Sequence, residues 1–206
     1  LIIDYDLLIA GTEPISLKVI ENGKNLKFIS RVGIGLDSVD LLAAREHKIS
    51  VSYTPDAPAP AVAELTLGMI FCLLRHMHLA NTTMHRGEWE RFFGRRITEV
   101  TVGIIGAGRV GGRVLRRLAR LGSPRILVND IHQNQNIVDN KIKLEWADKD
   151  TILREADVVS LHLPLTAATS NLITYEKLRL MKQESVIINT SRGGIINEKD
   201  LYKVLS

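Results

Sequence analysis

The 206-residue chain holds one cysteine, six prolines and few aromatic side chains. Cys72 alone can neither close an internal disulfide nor build a cysteine-based metal site, and no metal site is expected. It lies in the apolar stretch 65–74, where a free thiol behaves as a small hydrophobe. That stretch is bounded by Glu64 and Arg75 and falls far short of the roughly 20 residues a membrane span needs, so no membrane partner is expected. Asp4 and Asp6 interrupt the first apolar residues and no basic segment precedes them, so the start does not read as a signal peptide. A reducing, cytoplasmic setting is the expectation. Aromatics make up 5% of the chain, too few to interleave with basic residues as a nucleic-acid surface requires. The net charge of +4 owes much to Arg113, Arg116, Arg117 and Arg120, which recur at helical spacing opposite Val114, Leu115, Leu118 and Leu121 and read as a solvated helix face.

What is abundant is alternation. With 45% hydrophobic residues the chain can bury a large core. Short apolar runs predict strands over 7–10, 27–30, 50–53, 101–105, 125–129, 143–146, 158–163 and 186–190. Helical periodicity falls between them over 15–22, 39–47, 110–121, 150–155 and 175–181, with a last helix over 199–205. Strands alternating with helices imply parallel sheets. Between two such series, residues 61–84 contain no proline and only Gly68. They predict one crossover helix of about 35 Å. The reading is an α/β chain of two Rossmann-like lobes: 1–60 a partial substrate lobe, 61–86 the crossover, and 87–206 the nucleotide-binding lobe.

Gly106, Gly108 and Gly111 follow the apolar run 102–105 and open the helical stretch that starts at Val110. In this order the first glycine permits the strand-to-helix turn, the second lets backbone approach a pyrophosphate, and the third lets helix and strand pack closely. The phosphates would lie at the positive end of the helix. Asp130 closes the next apolar run, where a carboxylate can accept hydrogen bonds from the adenosine ribose of NAD and repel a 2'-phosphate. The expected cofactor is NAD.

Further motifs carry a family likeness. The stretches 31–40 (RVGIGLDSVD), 54–57 (TPDA) with 61–64 (AVAE), the glycine loop, 162–166 (HLPLT) and 188–194 (INTSRGG) come in the order and spacing of the D-isomer-specific 2-hydroxyacid dehydrogenases. The sequence resembles that family over nearly its whole length, most of all its phosphoglycerate dehydrogenase-like members. The resemblance implies hydride transfer between C2 of a small 2-hydroxy acid and the nicotinamide, with 3-phosphoglycerate among the candidate substrates, in a homodimer. It makes Arg192 the catalytic arginine and gives Gly33 and Ile34 to the substrate carboxylate through their N–H groups. Arg109, Val110, Leu163, Pro164, Thr190 and Ser191 would line the dinucleotide beside Gly106, Gly108, Gly111 and Asp130. His162 reads as a structural or cofactor-lining residue.

Two departures stand beside this likeness. The family's glutamate and histidine follow its arginine motif by some tens of residues, beyond Ser206, and its first strand and helix would precede Leu1, so the chain reads as clipped and without a proton acceptor of its own. Phosphoglycerate dehydrogenases carry a basic residue where this chain reads Ala10-Gly11-Thr12-Glu13-Pro14, and a carboxylate there disfavours a phosphate. An NAD-sensing, corepressor-like interaction protein is the alternative the family also contains.

Overall fold

The computed structural model describes residues 2–122, 124–133 and 144–206. The chain divides into two compact units, 1–60 and 61–206. The first is a three-stranded parallel sheet, β1 (Leu7–Ala10), β2 (Phe28–Arg31) and β3 (Ser50–Tyr53), in the order β1-β2-β3. Helices α1 (Leu17–Asn22) and α2 (Leu41–Glu46) connect the strands. Asp40 caps α2 by accepting from the Ala43 N–H. Ile20, Ile29, Ala43 and Ala44 pack together as the core of this unit.

The second unit is a five-stranded parallel sheet of β4 (Thr101–Ile105), β5 (Arg125–Asn129), β6 (Leu144–Trp146), β7 (Val158–Leu161) and β8 (Val186–Asn189). The expected start of β6 at Lys143 lies outside the described residues. The strand order is β6-β5-β4-β7-β8, so the chain leaves β4 toward one edge and returns on its other side at β7. That reversal opens a crevice beyond the carboxyl ends of β4 and β7, where open α/β sheets bind ligands. Strand residues alternate between two cores: Val102, Ile104, Ile126 and Val128 face one, Ile105, Leu127, Val159 and Leu161 the other. The first core includes residues of α3 (Ala59–Leu74) and α5 (Arg109–Leu118); the second includes residues of α6 (Lys149–Glu155) and α7 (Tyr175–Leu178). Helix α8 (Glu198–Leu205) ends the described chain.

The stretch expected as one crossover helix is instead α3 followed by α4 (Met77–His85), bent by 69°. His76 takes a left-handed conformation at the break, with φ 53°. The cause is tertiary. The Leu74 carbonyl, which a continuing helix would offer to residue 78, accepts instead from the Arg95 N–H at 2.9 Å. Gly94 permits this return, since a Cβ there would lie 2.5 Å from the Leu74 oxygen. Among the described residues no single helix is long and apolar enough to cross a membrane.

Arg95 also ties together the amino-terminal edge of the sheet. Its guanidinium bonds the Glu184 carbonyl at 2.8 Å and Asp157 at 3.4 Å. Asp157, just before β7, accepts from the Thr101 N–H of β4 at 2.8 Å and pairs with Lys182 at 3.0 Å.

Candidate functional site

At the opposite, carboxyl-terminal edge, β4 runs straight into the glycine loop. Gly106 has φ +96°, and a Cβ there would come within 2.5 Å of the His162 carbonyl. A Cβ on Gly111 would overlap the Gly106 carbonyl oxygen, so no larger residue fits between helix and strand end. At Gly108 the space is open, with no atom within 4 Å of where a Cβ would stand. Gly108 caps α5 without a side-chain hydrogen bond, so the helix presents its first-turn N–H groups and positive end to that opening. Arg109 is exposed and Val110 half-buried at the same helix start. This cradle fits a pyrophosphate.

Asp130 stands beside it, past the end of β5. One carboxylate oxygen accepts from the Ala107 N–H at 2.6 Å and the other from the His132 N–H at 2.9 Å. The residue therefore braces the glycine loop, a task sequence reading did not assign to it. A carboxylate has about four acceptor positions, so capacity for ribose hydroxyls remains.

On the far side of β4, His162 follows β7 beneath the loop. Its Nε2 pairs with the buried Ser160 hydroxyl at 3.0 Å, while Nδ1 is buried without a partner. An orphaned buried N–H costs more than an orphaned acceptor, so the proton belongs on Nε2. Burial pushes the imidazole down to about 4. This histidine is structural, packed under the dinucleotide loop.

A pH prediction follows from that burial. The unfolded chain takes up a proton at His162 below about 6.5, and the folded chain only near 4. Stability is thus full above 6.5 and falls as pH drops toward 4, by about 3 kcal/mol from this group at 1.36 kcal/mol per pH unit. Urea unfolding at pH 7.5 and 4.5 checks it. His162→Gln should shrink the difference between the two conditions, and an unchanged difference would remove His162 as its source.

Leu163 and Pro164 continue from β7, Leu163 half-buried against the second core. Thr190, Ser191 and Arg192 follow β8 on the same edge, each half-buried. The Arg192 Nη1 donates to the Ser191 carbonyl at 2.8 Å. The structure thus gathers the expected cofactor residues and Arg192 along one edge: Asp130 after β5, the glycine loop after β4, Leu163 after β7, Arg192 after β8. Gly33 and Ile34 belong to the first unit, after β2. There the Gly33 N–H, expected to meet a substrate carboxylate, already donates to Thr54 Oγ1 at 2.8 Å. Ala10 pairs with Arg31 in the sheet, so Glu13 follows the neighbouring strand on that same edge. The Gly11 N–H, bonded to the Glu13 carboxylate at 2.8 Å, holds that carboxyl below its ordinary range, and it is ionised at neutral pH.

The family model of the D-isomer specific 2-hydroxyacid dehydrogenase NAD-binding domain matches residues 67–206. The chain belongs to the D-isomer specific 2-hydroxyacid dehydrogenases. Its match to their NAD-binding domain covers α5, the glycine loop and the Arg192 turn, and makes NAD the cofactor of this cradle. The chain is 38% identical over 199 residues to a hydroxypyruvate reductase of Thermotoga maritima, covering 96% of this chain and 63% of that protein. It is 37% identical over 206 residues to a D-3-phosphoglycerate dehydrogenase of Methanocaldococcus jannaschii, covering 98% of this chain and 39% of that one. It superposes on a D-lactate dehydrogenase of Aquifex aeolicus, solved with NAD and lactic acid, with a TM-score of 0.89 and 26% identity over 99% of this chain and 62% of that one. The chain therefore spans less than two thirds of each of these dehydrogenases.

Proposed function

We propose that this chain forms the cofactor-binding body of an NAD-dependent D-2-hydroxyacid dehydrogenase, which moves a hydride between C2 of a small 2-hydroxy acid and the nicotinamide. The observation that carries the reading is the common edge shared by the glycine loop, Asp130 and Arg192. Asp130 after β5 marks the adenosine end, and the pyrophosphate lies over β4. A dinucleotide continuing in the same direction brings its other end to β7 and β8, beside Arg192. NAD supplies the hydride acceptor when bound. Arg192 would grip the substrate carboxylate and polarise the C2 oxygen with its planar fork. Within the first unit the Ile34 N–H keeps the substrate-binding role that the resemblance gives it. Gly33 can join only if Thr54 Oγ1 releases its N–H.

Glu13 directs the choice of substrate. An ionised carboxylate on the strand-end edge that also carries Gly33 and Ile34 disfavours a phosphorylated acid and favours a compact monoanion such as hydroxypyruvate. Turnover with NADH by the full-length protein should be faster on hydroxypyruvate or pyruvate than on a phosphorylated 2-keto acid. Preference for the phosphorylated acid would reverse this assignment, and no turnover on any 2-keto acid by the full-length protein would favour the interaction-protein alternative. We further propose a homodimer, since Trp89 and Phe93 are 80% and 95% exposed after α4. A monomer in sedimentation at micromolar concentration with NAD would refute it.

A further inference from the structure

The turn that presents Arg192 is held by a side chain from within its own motif. Strand β8 ends on Asn189, whose amide makes three hydrogen bonds, two to Ser191 and one to Arg192. Its Oδ1 accepts from the Ser191 N–H at 3.1 Å and from the Ser191 hydroxyl at 2.6 Å, while its Nδ2 donates to the Arg192 carbonyl at 2.7 Å. The backbone partners leave no choice of amide orientation, because an N–H only donates and a carbonyl only accepts. The side chain thus reads both polarities of the turn at once, which neither an acid nor an apolar residue can do at neutral pH.

The residue between is fixed from the other side. Thr190 Oγ1 lies 2.9 Å from Oγ1 of Thr66, a fully buried residue of α3. Thr66 donates its single hydroxyl proton to the Val62 carbonyl at 2.8 Å, so Thr190 must be the donor between the two threonines. Residues 189–192 are therefore tied to their own strand end by an amide and to α3 by a hydroxyl pair, before any substrate arrives.

We propose that Asn189 is a positioning residue for Arg192: by bonding the Ser191 N–H and the Arg192 carbonyl it sets the backbone from which the guanidinium reaches the substrate carboxylate. The proposal rests on the catalytic role given to Arg192 above. Pre-set geometry matters because a misplacement of about 1 Å can cost a hundredfold in rate. The glycine loop and Asp130 lie across the sheet from β8, so of the expected cofactor residues only Thr190 and Ser191 share this turn, and catalysis should suffer more than NAD affinity.

The test is Asn189→Asp, which matches the amide in shape. As a carboxylate it still accepts from Ser191 but sets a second oxygen against the Arg192 carbonyl; protonated, it regains an O–H donor there. With hydroxypyruvate and NADH, kcat of the variant made in the full-length protein should fall at least about tenfold at pH 8. It should climb back toward the wild-type value as pH is lowered toward 5, producing an acid recovery that the wild type lacks. The dissociation constant for NAD should change by less than the fall in kcat. Asn189→Ala, which adds no charge, should lose kcat at every pH, again by more than it loses NAD affinity. A variant Asn189→Asp whose pH profile parallels the wild type, or an Asn189→Ala with wild-type kcat, would overturn the proposal. If Asn189→Asp does not fold, the alanine variant alone decides. Arg192→Ala, assayed in parallel, separates the two ideas: full activity there removes the role of the arginine, whereas inactivity there with active Asn189 variants removes only the role of the asparagine.

Discussion

Replacing Arg192 by alanine in a preparation active on a 2-keto acid should lower kcat/KM by at least about a hundredfold, the scale of losing one positioned charged donor, while NAD affinity stays nearly unchanged. The asymmetry follows from the layout of the sheet. Arg192 follows β8, at one edge, and the dinucleotide cradle is built from the ends of β4 and β5, with β7 between. Removing the guanidinium subtracts nothing from Gly106, Gly108, Gly111 or Asp130. Arg192→Lys should recover little, because an ammonium is a point charge and cannot hold a carboxylate and a C2 oxygen in one planar fork. The Asn189 clamp sharpens this expectation, since it fixes the backbone at 191 and 192 and a shorter reach cannot be made up by moving the turn. Steady-state kinetics with NADH and hydroxypyruvate, beside calorimetric titration with NAD, measure both halves. Normal turnover of the alanine variant would end the case for Arg192.

Titration with the two cofactors should give NAD a preference over NADP of about a hundredfold, and Asp130→Asn should narrow it. The carboxylate repels a 2'-phosphate, and a penalty of about 3 kcal/mol is within the range for like charges brought together in a partly buried site. Asparagine is the informative replacement. Asp130 also holds the Ala107 and His132 N–H groups, so alanine would loosen the loop and weaken both cofactors together. The asparagine removes the charge and keeps one acceptor for the loop. Equal binding of NADP by the unaltered protein would show that the ribose end is not read by this acid.

The sequence carried the cofactor cradle because every part of it is local. Strand β4, three glycines, helix α5, strand β5 and Asp130 lie within 30 residues, and each glycine has a separate steric reason that survives in the structure: backbone conformation at Gly106, open space at Gly108, close contact at Gly111. Strand runs were equally readable, since β4, β5 and β7 are buried on both faces and so are mostly apolar, with Ser160 the buried exception in β7. The break between α3 and α4 was not readable. Nothing in Leu74-Arg75-His76 ends a helix by itself, and the bond that ends it comes from Arg95, twenty-one residues on. The hydroxyl pair of Thr66 and Thr190 spans 124 residues and has no local sign at all. Asn189 lies between these cases. An asparagine two residues before another polar turn residue is a recognised local signal for a side chain that bonds its own backbone, and the Asn-x-x-Arg spacing could have marked it.

The ion cluster of Arg95, Asp157 and Lys182 has a consequence for how this protein can vary. It fastens the starts of β4, β7 and β8, whereas Asp130, the glycine loop and Arg192 follow strand ends. Strands of four or five residues hold the two edges about 13–17 Å apart, beyond the roughly 8 Å over which exposed charges feel one another at physiological salt. One rim of the sheet is a foundation and the other a workbench. Charges can be swapped on the foundation, and its strength retuned for a different temperature, without the field at the workbench changing, so heat tolerance and substrate choice can drift along separate courses in the same small sheet.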